Sequence, residues 1–438
     1  MISKVKSLVP DSIKREYHRL RSWSAALRHG FPAQSMIVIG VTGTKGKTST
    51  ANYIWSVLHA GGFRVGLISS ANFRIAENEE LNAHHMTMPD PFIVQNKVAE
   101  MRKKGMEILV MEMTSEGMKQ YRHIGLMADF AVFTNLTPEH LASHGGSFEA
   151  YKKAKSPLFK NIMKHTVRML RGAPIPRSIF ANSDSEHAEY YLQFPADKKH
   201  TFGISSGELR AENIHIHNRG STFTVAGDTY SLAIPGAFNI YNALPAIAIG
   251  KELGVSFEKI HEGLRSLHVI PGRMEEIQEG QSFRVFVDYA HEPASLTAVL
   301  SAGRDMCPAN GKVIVLIGGQ GGGRDPRKRE PMAQAAASFA DYVVVTNEDP
   351  YEDSPEQIVS EITASVVSAG KIENESVFPI LDRREGIRKA LSLAGKHDIV
   401  LITGKGAEQT MMVRGGSIAW NEREIVRNLV KTYANNNI

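Results

Sequence analysis

An apolar run that leads directly into a glycine–lysine–threonine loop constrains the fold more than any other feature of the sequence. Residues 36–39 are Met-Ile-Val-Ile, and residues 41–50 read Val-Thr-Gly-Thr-Lys-Gly-Lys-Thr-Ser-Thr. A buried strand, a loop with free backbone amides and a helix N-terminus together make a phosphate-binding site. We therefore predict an α/β domain in which a helix runs from Thr48 to about Ala60 and ends at Gly61-Gly62.

The residue types in this loop indicate nucleoside triphosphate binding. Lys47 is placed to neutralise the β- and γ-phosphates, and Thr48 to give its hydroxyl to Mg²⁺. The residues expected around the phosphates are Gly43, Thr44, Lys45, Gly46, Lys47, Thr48 and Ser49. The standard loop has glycine where Val41 stands, so this loop is a compact variant. A P-loop kinase or another P-loop protein stays open as an alternative.

Composition excludes several classes of protein. A chain of 438 residues has room for two or three domains, and its single cysteine, Cys307, excludes a disulfide framework and fits a cytoplasmic protein. No apolar stretch approaches the ~18 residues of a membrane span. The net charge is +5, but basic residues do not alternate with aromatic ones, so nucleic-acid binding is not expected.

Residues 1–35 form a basic leader with amphipathic spacing. Its cationic residues are Lys4, Lys6, Lys14, Arg15, Arg19, Arg21 and Arg28. Pro10 interrupts the segment, so we expect one or two helices. Two interpretations stay open: packing against the next domain, which we favour because the apolar face is short, and peripheral contact with an anionic lipid surface.

After residue 35, apolar runs alternate with helix-length segments, which is typical of a mainly parallel sheet with helices on both faces. The first runs are residues 108–111, 130–133 and 179–181. Residues 201–234 alternate apolar and polar positions and predict antiparallel strands, followed by a helix from about Asn239 to Gly250. A second series begins after Arg273, with apolar runs at 285–287, 313–317, 342–345 and 399–402. We predict a P-loop ATPase domain at 36–273 and a Rossmann-like α/β domain at 274–438.

Two polar residues follow predicted strands closely enough to reach the ligand-binding edge of the sheet, and a third residue lies in a basic segment. Glu112 ends the run 108–111 and, with Thr48, provides oxygen ligands suited to Mg²⁺. His140 follows the run 130–133, and Lys155 lies in the basic segment 151–159. Taken singly, each residue has an ordinary structural explanation, respectively a helix cap, a structural histidine and a solvated helix face.

The order of these motifs resembles the Mur ligase family of ATP-dependent amide-bond-forming enzymes. Residues 134–145 read Thr-Asn-Leu-Thr-Pro-Glu-His-Leu-Ala-Ser-His-Gly, and residues 154–159 read Ala-Lys-Ser-Pro-Leu-Phe. The family usually has aspartate at Glu139. The resemblance implies that Glu112 bridges two Mg²⁺ ions, that His140 binds the second, and that Lys155 is carbamylated. It thus implies a catalytic set of Lys47, Glu112, His140 and Lys155.

Further segments match the family in order. Residues 235–243 resemble its adenine-contacting segment, 271–275 the segment with an ATP-contacting arginine, and 287–291 the segment whose aspartate binds ribose. The glycine loop at 318–325 and residues 404–406 also match. The resemblance implies ATP contacts by Asn239, Asn242, Arg273 and Asp288.

Within the family, the sequence is most similar to the MurE type, the UDP-N-acetylmuramoyl-tripeptide synthetases, which add the third residue of the peptidoglycan stem peptide. Residues 87–90 and 112–122 resemble their acceptor-binding segments. The acceptor contacts this implies are Thr87, Asp90, Thr114, Ser115 and Arg122. MurE enzymes open with a UDP-binding domain, and 35 residues before the P-loop strand are too few for one, so we expect it to be lacking.

The amino-acid pocket departs from the pattern of diaminopimelate-adding enzymes. Their Asp-Asn-Pro-Arg reads Glu348-Asp349-Pro350-Tyr351 here, so tyrosine replaces the arginine that grips a carboxylate. Their Gly-Lys-Gly-His-Glu reads Gly-Lys-Gly-Ala-Glu at 404–408. The contacts this implies are Asp349, Tyr351, Lys405 and Glu408. Because Glu408 can pair with an ammonium group, we expect an amino acid with a second amino group, such as lysine.

The resemblance implies an ATP-dependent carboxylate–amine ligase that forms a peptide bond through an acyl phosphate in peptidoglycan precursor synthesis. ATP, two Mg²⁺ ions, small-molecule substrates and a monomeric enzyme belong to that expectation. A folylpolyglutamate-synthase-like ligase is the alternative within the fold, although residues 87–90 and 288–291 argue against it. The lack of an Asn-Lys-x-Asp motif argues against a GTPase. The joint presence of the catalytic set argues against a scaffold that only binds ATP.

Overall fold

Residues 10–84, 86–139 and 141–436 are described by the structure, a computed structural model of the chain. His140, predicted as a metal ligand, lies outside the described residues, as do residues 1–9 of the leader.

The first half of the chain is built on a nine-stranded sheet. Its strands are β1 (Ile37–Thr42), β2 (Val65–Ile68), β3 (Asn72–Ile75), β4 (Asn78–Leu81), β5 (Ile108–Glu112), β6 (Phe130–Phe133), β9 (Ser178–Asn182), β10 (Lys198–Gly203) and β11 (Leu209–Arg210). The strands β7 (Met169–Leu170) and β8 (Ala173–Pro174) form a separate hairpin outside this sheet. Their order across the sheet is β11-β10-β9-β6-β1-β5-β2-β3-β4. All neighbouring pairs are parallel except β2–β3 and β3–β4, which confirms a mainly parallel sheet.

Helices cover both faces of this sheet. They are α1 (Asp11–Arg28), α2 (Lys47–Ala60), α3 (Pro91–Lys103), α4 (Ser115–Lys119), α5 (Phe148–Lys155), α6 (Pro157–Lys160), α7 (Ala188–Leu192), α8 (Phe238–Glu252) and α9 (Phe257–Ser266), with 3₁₀ turns at Pro32–Ser35 and Leu141–His144. The run at 36–39 is continuously apolar because β1 is buried on both faces of the sheet. Ile37 and Ile39 join the core beneath α2 and α8, while Val38 joins the core beneath α3 on the other face.

A small antiparallel sheet at 212–232 confirms most of the prediction for residues 201–234. The prediction is wrong for residues 201–203 and 209–210, which pair in parallel at the edge of the large sheet. The small sheet consists of β12 (Glu212–His217), β13 (Gly220–Val225) and β14 (Asp228–Leu232). Helices α8 and α9 then pack against α2, the helix that follows the phosphate loop.

A six-stranded sheet forms the rest of the chain. Its strands are β15 (Glu275–Ile277), β16 (Arg284–Asp288), β17 (Val313–Gly319), β18 (Tyr342–Asn347), β19 (Val377–Ile380) and β20 (Ile399–Thr403), in the order β15-β16-β20-β17-β18-β19. Strand β15 pairs antiparallel with β16, and the other neighbouring pairs are parallel. The associated elements are α10 (Pro293–Met306), a 3₁₀ turn at Pro326–Lys328, α11 (Arg329–Phe339), α12 (Pro355–Ser368), α13 (Arg383–Ser392), α14 (Glu422–Asn436) and the hairpin of β21 (Thr410–Val413) and β22 (Gly416–Ala419).

Helix α1 packs against α3, as the favoured interpretation of the leader expects. The contact uses the small residues Ser22, Ala25 and Ala26, which are buried. The large apolar residues of the helix lie on the opposite, exposed face. Among the described residues, no helix has both the length and the apolar character needed to cross a bilayer.

Candidate active site

The phosphate loop joins β1 to α2 and takes the geometry that its glycines permit. Gly46 has a φ of 79°, in the left-handed region, and a Cβ there would lie 2.2 Å from the Asn242 side-chain oxygen. Helix α2 begins at Lys47, so its first amides face the loop. Thr134 and Asn135, which follow β6, bind the backbone of Lys45 from the other side.

Two lysine ammonium groups converge on one backbone oxygen of this loop. The carbonyl of Gly43 accepts hydrogen bonds from Lys47 Nζ at 3.1 Å and from Lys155 Nζ at 2.9 Å. Burial lowers the pKa of Lys47, against the opposing effect of Glu112. Burial and the nearby Lys47 hold the pKa of Lys155 well below its usual value. Bound polyphosphate would oppose this lowering at Lys47, because its negative charge favours the protonated amine.

Oxygen atoms cluster beside the start of α2. Glu112, at the end of β5, accepts from the Ser70 backbone amide at 2.8 Å, and the hydroxyls of Thr48 and Ser70 lie 2.7 Å apart. These donors are of the kind that Mg²⁺ prefers. In the part of the chain that the structure describes, no three His, Cys, Asp or Glu side chains converge on one point. A cation here would therefore rest on Thr48 and Glu112 together with phosphate and water oxygens.

Arg273 connects the second half of the chain to this oxygen cluster. Its Nη2 donates to the hydroxyls of Thr48 at 3.2 Å and Ser70 at 3.3 Å. Its guanidinium also lies 4.5 Å from the ring centroid of Tyr289, just after β16. Arg273, two residues before β15, thus reaches the start of α2, and its contact with ATP stays a prediction.

The residues predicted for adenine and ribose lie nearby, and their side chains hold the backbone around them. Asn239 donates to the Pro235 carbonyl, and Asn242 donates to Asn239. Asp288 accepts from the backbone amides of Met274 and Ala290, both at 2.7 Å, and burial raises its pKa.

The predicted acceptor residues lie on the far side of Glu112. Thr114 caps α4, and Ser115 Oγ lies 3.1 Å from His144 Nε2. Arg122 donates to the Met88 carbonyl and, at 2.6 Å, to Gln120. Asp90 caps α3 and pairs with Arg21 of α1 at 2.8 Å, so its carboxylate is already engaged.

The predicted amino-acid residues cluster around a buried ion pair, and the cavity residue Tyr289 donates to one of them, Glu408, at 3.2 Å. The buried Lys405 ammonium binds both oxygens of Asp349, at 2.8 and 2.9 Å, and also pairs with Glu408. Burial acts to lower the pKa of Lys405, but the carboxylates of Glu408 and Asp349 outweigh it and leave that pKa raised. Tyr351 accepts from Arg324 at 2.6 Å, and the guanidinium lies 4.2 Å from its ring centroid.

One cavity of about 980 Å³ unites most of the predicted site. Its lining includes all of the predicted phosphate-loop residues, Glu112, Lys155, Asn239, Asn242, Arg273, Asp288, Thr87, Thr114, Ser115 and Arg122. It does not include Asp90, Asp349, Tyr351, Lys405 or Glu408. The phosphate and acceptor sides therefore share one space, and the predicted amino-acid cluster lies outside it.

The same cavity contains residues that sequence reasoning missed. They are Ser70, His144, Tyr151, Tyr289 and Arg324. A signal for Ser70 was present, because it follows the apolar segment Val-Gly-Leu-Ile at the same sheet edge as Glu112. Arg324 stands at the end of a glycine run, where no local pattern indicates its contact with Tyr351.

Comparison with known proteins decides the family. Residues 41–250 match the Mur ligase middle domain, and residues 272–406 match the domain described as "Mur ligase, glutamate ligase domain". The chain belongs to the Mur ligase family. It is 34% identical over 97% of its length to a UDP-N-acetylmuramoyl-L-alanyl-D-glutamate–2,6-diaminopimelate ligase of Geobacillus kaustophilus, covering 84% of that protein. It is 31% identical over 93% to the UDP-N-acetylmuramyl-tripeptide synthetase of Treponema denticola, covering 78% of it.

Solved structures agree with this assignment. A UDP-N-acetylmuramoyl-L-alanyl-D-glutamate–2,6-diaminopimelate ligase superposes with a TM-score of 0.62 at 25% identity, over 97% of this chain and 84% of that one. The Mycobacterium tuberculosis folylpolyglutamate synthase complexed with ADP gives a TM-score of 0.66 at 18% identity, over 88% and 91%, and shows the shared fold alone. As a Mur ligase, the chain is an ATP-dependent acid–amino acid ligase.

We expect Arg273 to control how productively this ligase binds ATP. Arg273→Ala removes the guanidinium that lies beside Thr48 and Ser70 and that would contact the ATP phosphates, so kcat/KM for ATP should fall by about 10- to 100-fold, as expected for a lost charge-assisted hydrogen bond. Arg273→Lys keeps the positive charge but lacks the planar guanidinium with its several N–H donors. It should therefore recover only part of the lost kcat/KM. ATP titration of amide formation measures both, and wild-type kcat/KM in Arg273→Ala would contradict the role.

Proposed function

We propose that this Mur ligase joins the carboxylate of a muramoyl-peptide-type acceptor to the amino group of an amino acid, converting ATP to ADP and phosphate. One observation carries the proposal: a single cavity runs from the phosphate loop to the acceptor residues Thr87, Thr114, Ser115 and Arg122. The MurE-type relatives support the same class of acceptor. A monomeric enzyme in the cytoplasm belongs to the same proposal.

The proposed reaction has two displacement steps. An acceptor carboxylate oxygen attacks the γ-phosphorus in line, and ADP leaves. The amino group of the second substrate then attacks the acyl carbon, loses a proton and expels phosphate. Lys47 and the loop amides stabilise the charge that develops on the phosphoryl oxygens. Closure of residues 274–438 over residues 36–273 would keep water from the acyl phosphate.

The oxygen cluster fits Mg²⁺, and we propose that Thr48 and Glu112 hold it. When bound, the ion neutralises phosphate charge and orients the γ-phosphoryl group. A second ion would depend on His140 and on a carbamate at Lys155. Carbamylation requires a neutral amine that attacks CO₂ and loses a proton, and the lowered pKa of the buried Lys155 supplies that amine.

We propose that the amino-acid substrate carries a second amino group. Asp349 and Glu408 bring two acidic side chains to the cluster, and Lys405 brings one basic side chain. Tyr351 supplies no cation, and its hydroxyl binds Arg324, whose guanidinium lines the main cavity. A distal ammonium therefore finds a compensating charge here more readily than a distal carboxylate does.

Substrate choice should follow that charge. In a competition between lysine and diaminopimelate, the wild-type enzyme should incorporate lysine preferentially, and Tyr351→Arg should move the ratio toward diaminopimelate by about tenfold. Product mass measures the ratio, and Tyr351→Phe is the matched control because it adds no charge. A wild-type preference for diaminopimelate would contradict the proposal.

The overall function is tested with purified protein, ATP, Mg²⁺, a UDP-linked muramoyl dipeptide and a panel of amino acids. We expect phosphate release and amide product in equal amounts. The same assay with a folate acceptor and glutamate tests the alternative ligase. Amide formation on folate alone would overturn the muramoyl assignment.

A further inference from the structure

Helix α1 presents an apolar stripe to solvent. Ile13, Tyr17, Leu20, Trp23 and Leu27 are each 52 to 70% exposed. Their spacing of three and four residues places them on one side of the helix. The stripe runs from Ile13 to Leu27, so this ridge is about 21 Å long, and the structure corrects the expectation of a short apolar face.

The opposite side of the helix fixes this orientation. Ser22, Ala25 and Ala26 are buried against the protein, and Arg21 pairs with Asp90 at the start of α3. Arg15 donates to the Tyr121 hydroxyl at 3.5 Å, a second link on the same side. The helix therefore cannot turn its apolar side inward without breaking these contacts.

Cationic residues border the stripe. Lys14, Arg21 and Arg28 recur every seven residues along one edge, and Arg19 lies near the other. Glu16 is the acidic residue within the exposed side, and Arg19 pairs with it at 2.9 Å.

The charge of the whole chain is concentrated in the same region. Residues 1–35 hold seven of the 51 lysines and arginines and two of the 46 aspartates and glutamates. That segment therefore carries +5, the net charge of the entire chain, and the other residues carry equal numbers of the two signs. Of the seven cationic residues, Lys14, Arg15, Arg19, Arg21 and Arg28 lie on the described helix that carries the stripe.

We infer that α1 docks this enzyme on an anionic lipid surface. An amphipathic helix with Trp, Tyr, Leu and Ile on one side and Lys and Arg beside them lies in the plane of the headgroups, with its apolar side among the upper acyl chains. The basic residues complement anionic headgroups. The ridge would lie flat on the membrane while its buried side holds the catalytic domain.

Docking would bring the acceptor side of the cavity close to the membrane. Arg21 links α1 to Asp90, two residues from Met88, whose carbonyl accepts from the cavity residue Arg122. The pKa of His18 on α1 is lowered by burial and also by the positive charge of Arg122. The helix thus lies at the edge of the acceptor side of the cavity.

The test is co-sedimentation of the full chain with vesicles. With equimolar phosphatidylglycerol and phosphatidylcholine we expect binding that high salt releases, and with phosphatidylcholine alone at least about tenfold less bound protein. The double variant Leu20→Glu/Leu27→Glu should lose at least about tenfold in binding, since it places charge within the stripe. Ile372→Glu, an exposed apolar residue elsewhere, is the matched control and should bind like wild type.

Wild-type amide formation with soluble substrates would show that the double variant is folded. Failure of wild-type protein to bind anionic vesicles would overturn the inference, as would equal binding by the double variant. Light scattering tests the alternative that a second copy of the chain covers the stripe. A wild-type dimer that does not bind vesicles, together with a monomeric double variant, would support that alternative.

Discussion

Lys47→Ala is expected to reduce amide formation by about 10³-fold or more, since removing one preorganised charge contact alone costs about 10²- to 10³-fold in kcat. Lys47 is the buried cation at the phosphate loop, and its Nζ lies among the loop carbonyls where the β- and γ-phosphates would bind. Lys199→Ala on the exposed part of β10 is the control and should leave the rate unchanged. Near-wild-type turnover of Lys47→Ala would show that the loop is not the catalytic phosphate site.

Glu112→Ala should be equally inactive, for a different reason. It removes the single carboxylate of the oxygen cluster while Lys47 stays in place, so the enzyme should lose its response to Mg²⁺. Titration of activity with Mg²⁺ distinguishes Glu112→Ala from Lys47→Ala. Chelation of Mg²⁺ should inactivate the wild-type enzyme reversibly. An unchanged Mg²⁺ midpoint in Glu112→Ala would contradict the assignment.

Lys155→Ala is expected to be inactive and to regain part of its activity with acetate or formate. The alanine leaves room where the carbamate would stand, and a small carboxylate restores the oxygen donors that the carbamate would supply. Bicarbonate removal should also lower wild-type activity. Because burial lowers the pKa of the Lys155 amine, recovery on adding bicarbonate should occur at a lower pH than an ordinary lysine would require.

The control for this experiment is on the same helix. Lys153→Ala changes an exposed lysine two residues away and should alter neither the rate nor the response to carboxylates. Full activity of Lys155→Ala would show that Lys155 has only a structural role. If the variant is inactive and added carboxylates do not restore activity, that result would argue against a carbamate.

Much of the fold was readable from local pattern. The apolar runs at 36–39, 108–111 and 130–133 became β1, β5 and β6, because strands buried on both faces of a parallel sheet need no alternation. The loop composition placed the start of α2 within one residue. Glu112 reached the site because it ends a strand whose direction is fixed by pairing with β1.

Other features depended on contacts between distant residues. Strand β2 was not predicted, although its segment Val-Gly-Leu-Ile is as apolar as the runs that were. The hairpin β3–β4 escaped notice because polar residues interrupt both of its short strands. The pairing of Lys405 with Asp349 spans 56 positions, and that of Arg324 with Tyr351 spans 27. The stripe on α1 was visible in sequence, but the packing of Ser22, Ala25 and Ala26 decided that it faces outward.

Arg273 lies just before β15, so its contacts connect the C-terminal sheet electrostatically to the start of α2. Its guanidinium rests on the Thr48 hydroxyl, which is also an expected ligand of a divalent cation. A cation there would repel the guanidinium at short range, while a γ-phosphate would attract it. Binding of the nucleotide with its metal would thus move the Arg273 guanidinium away from Thr48 and toward the phosphate. The same charges that prepare ATP for reaction would therefore favour movement of the C-terminal sheet.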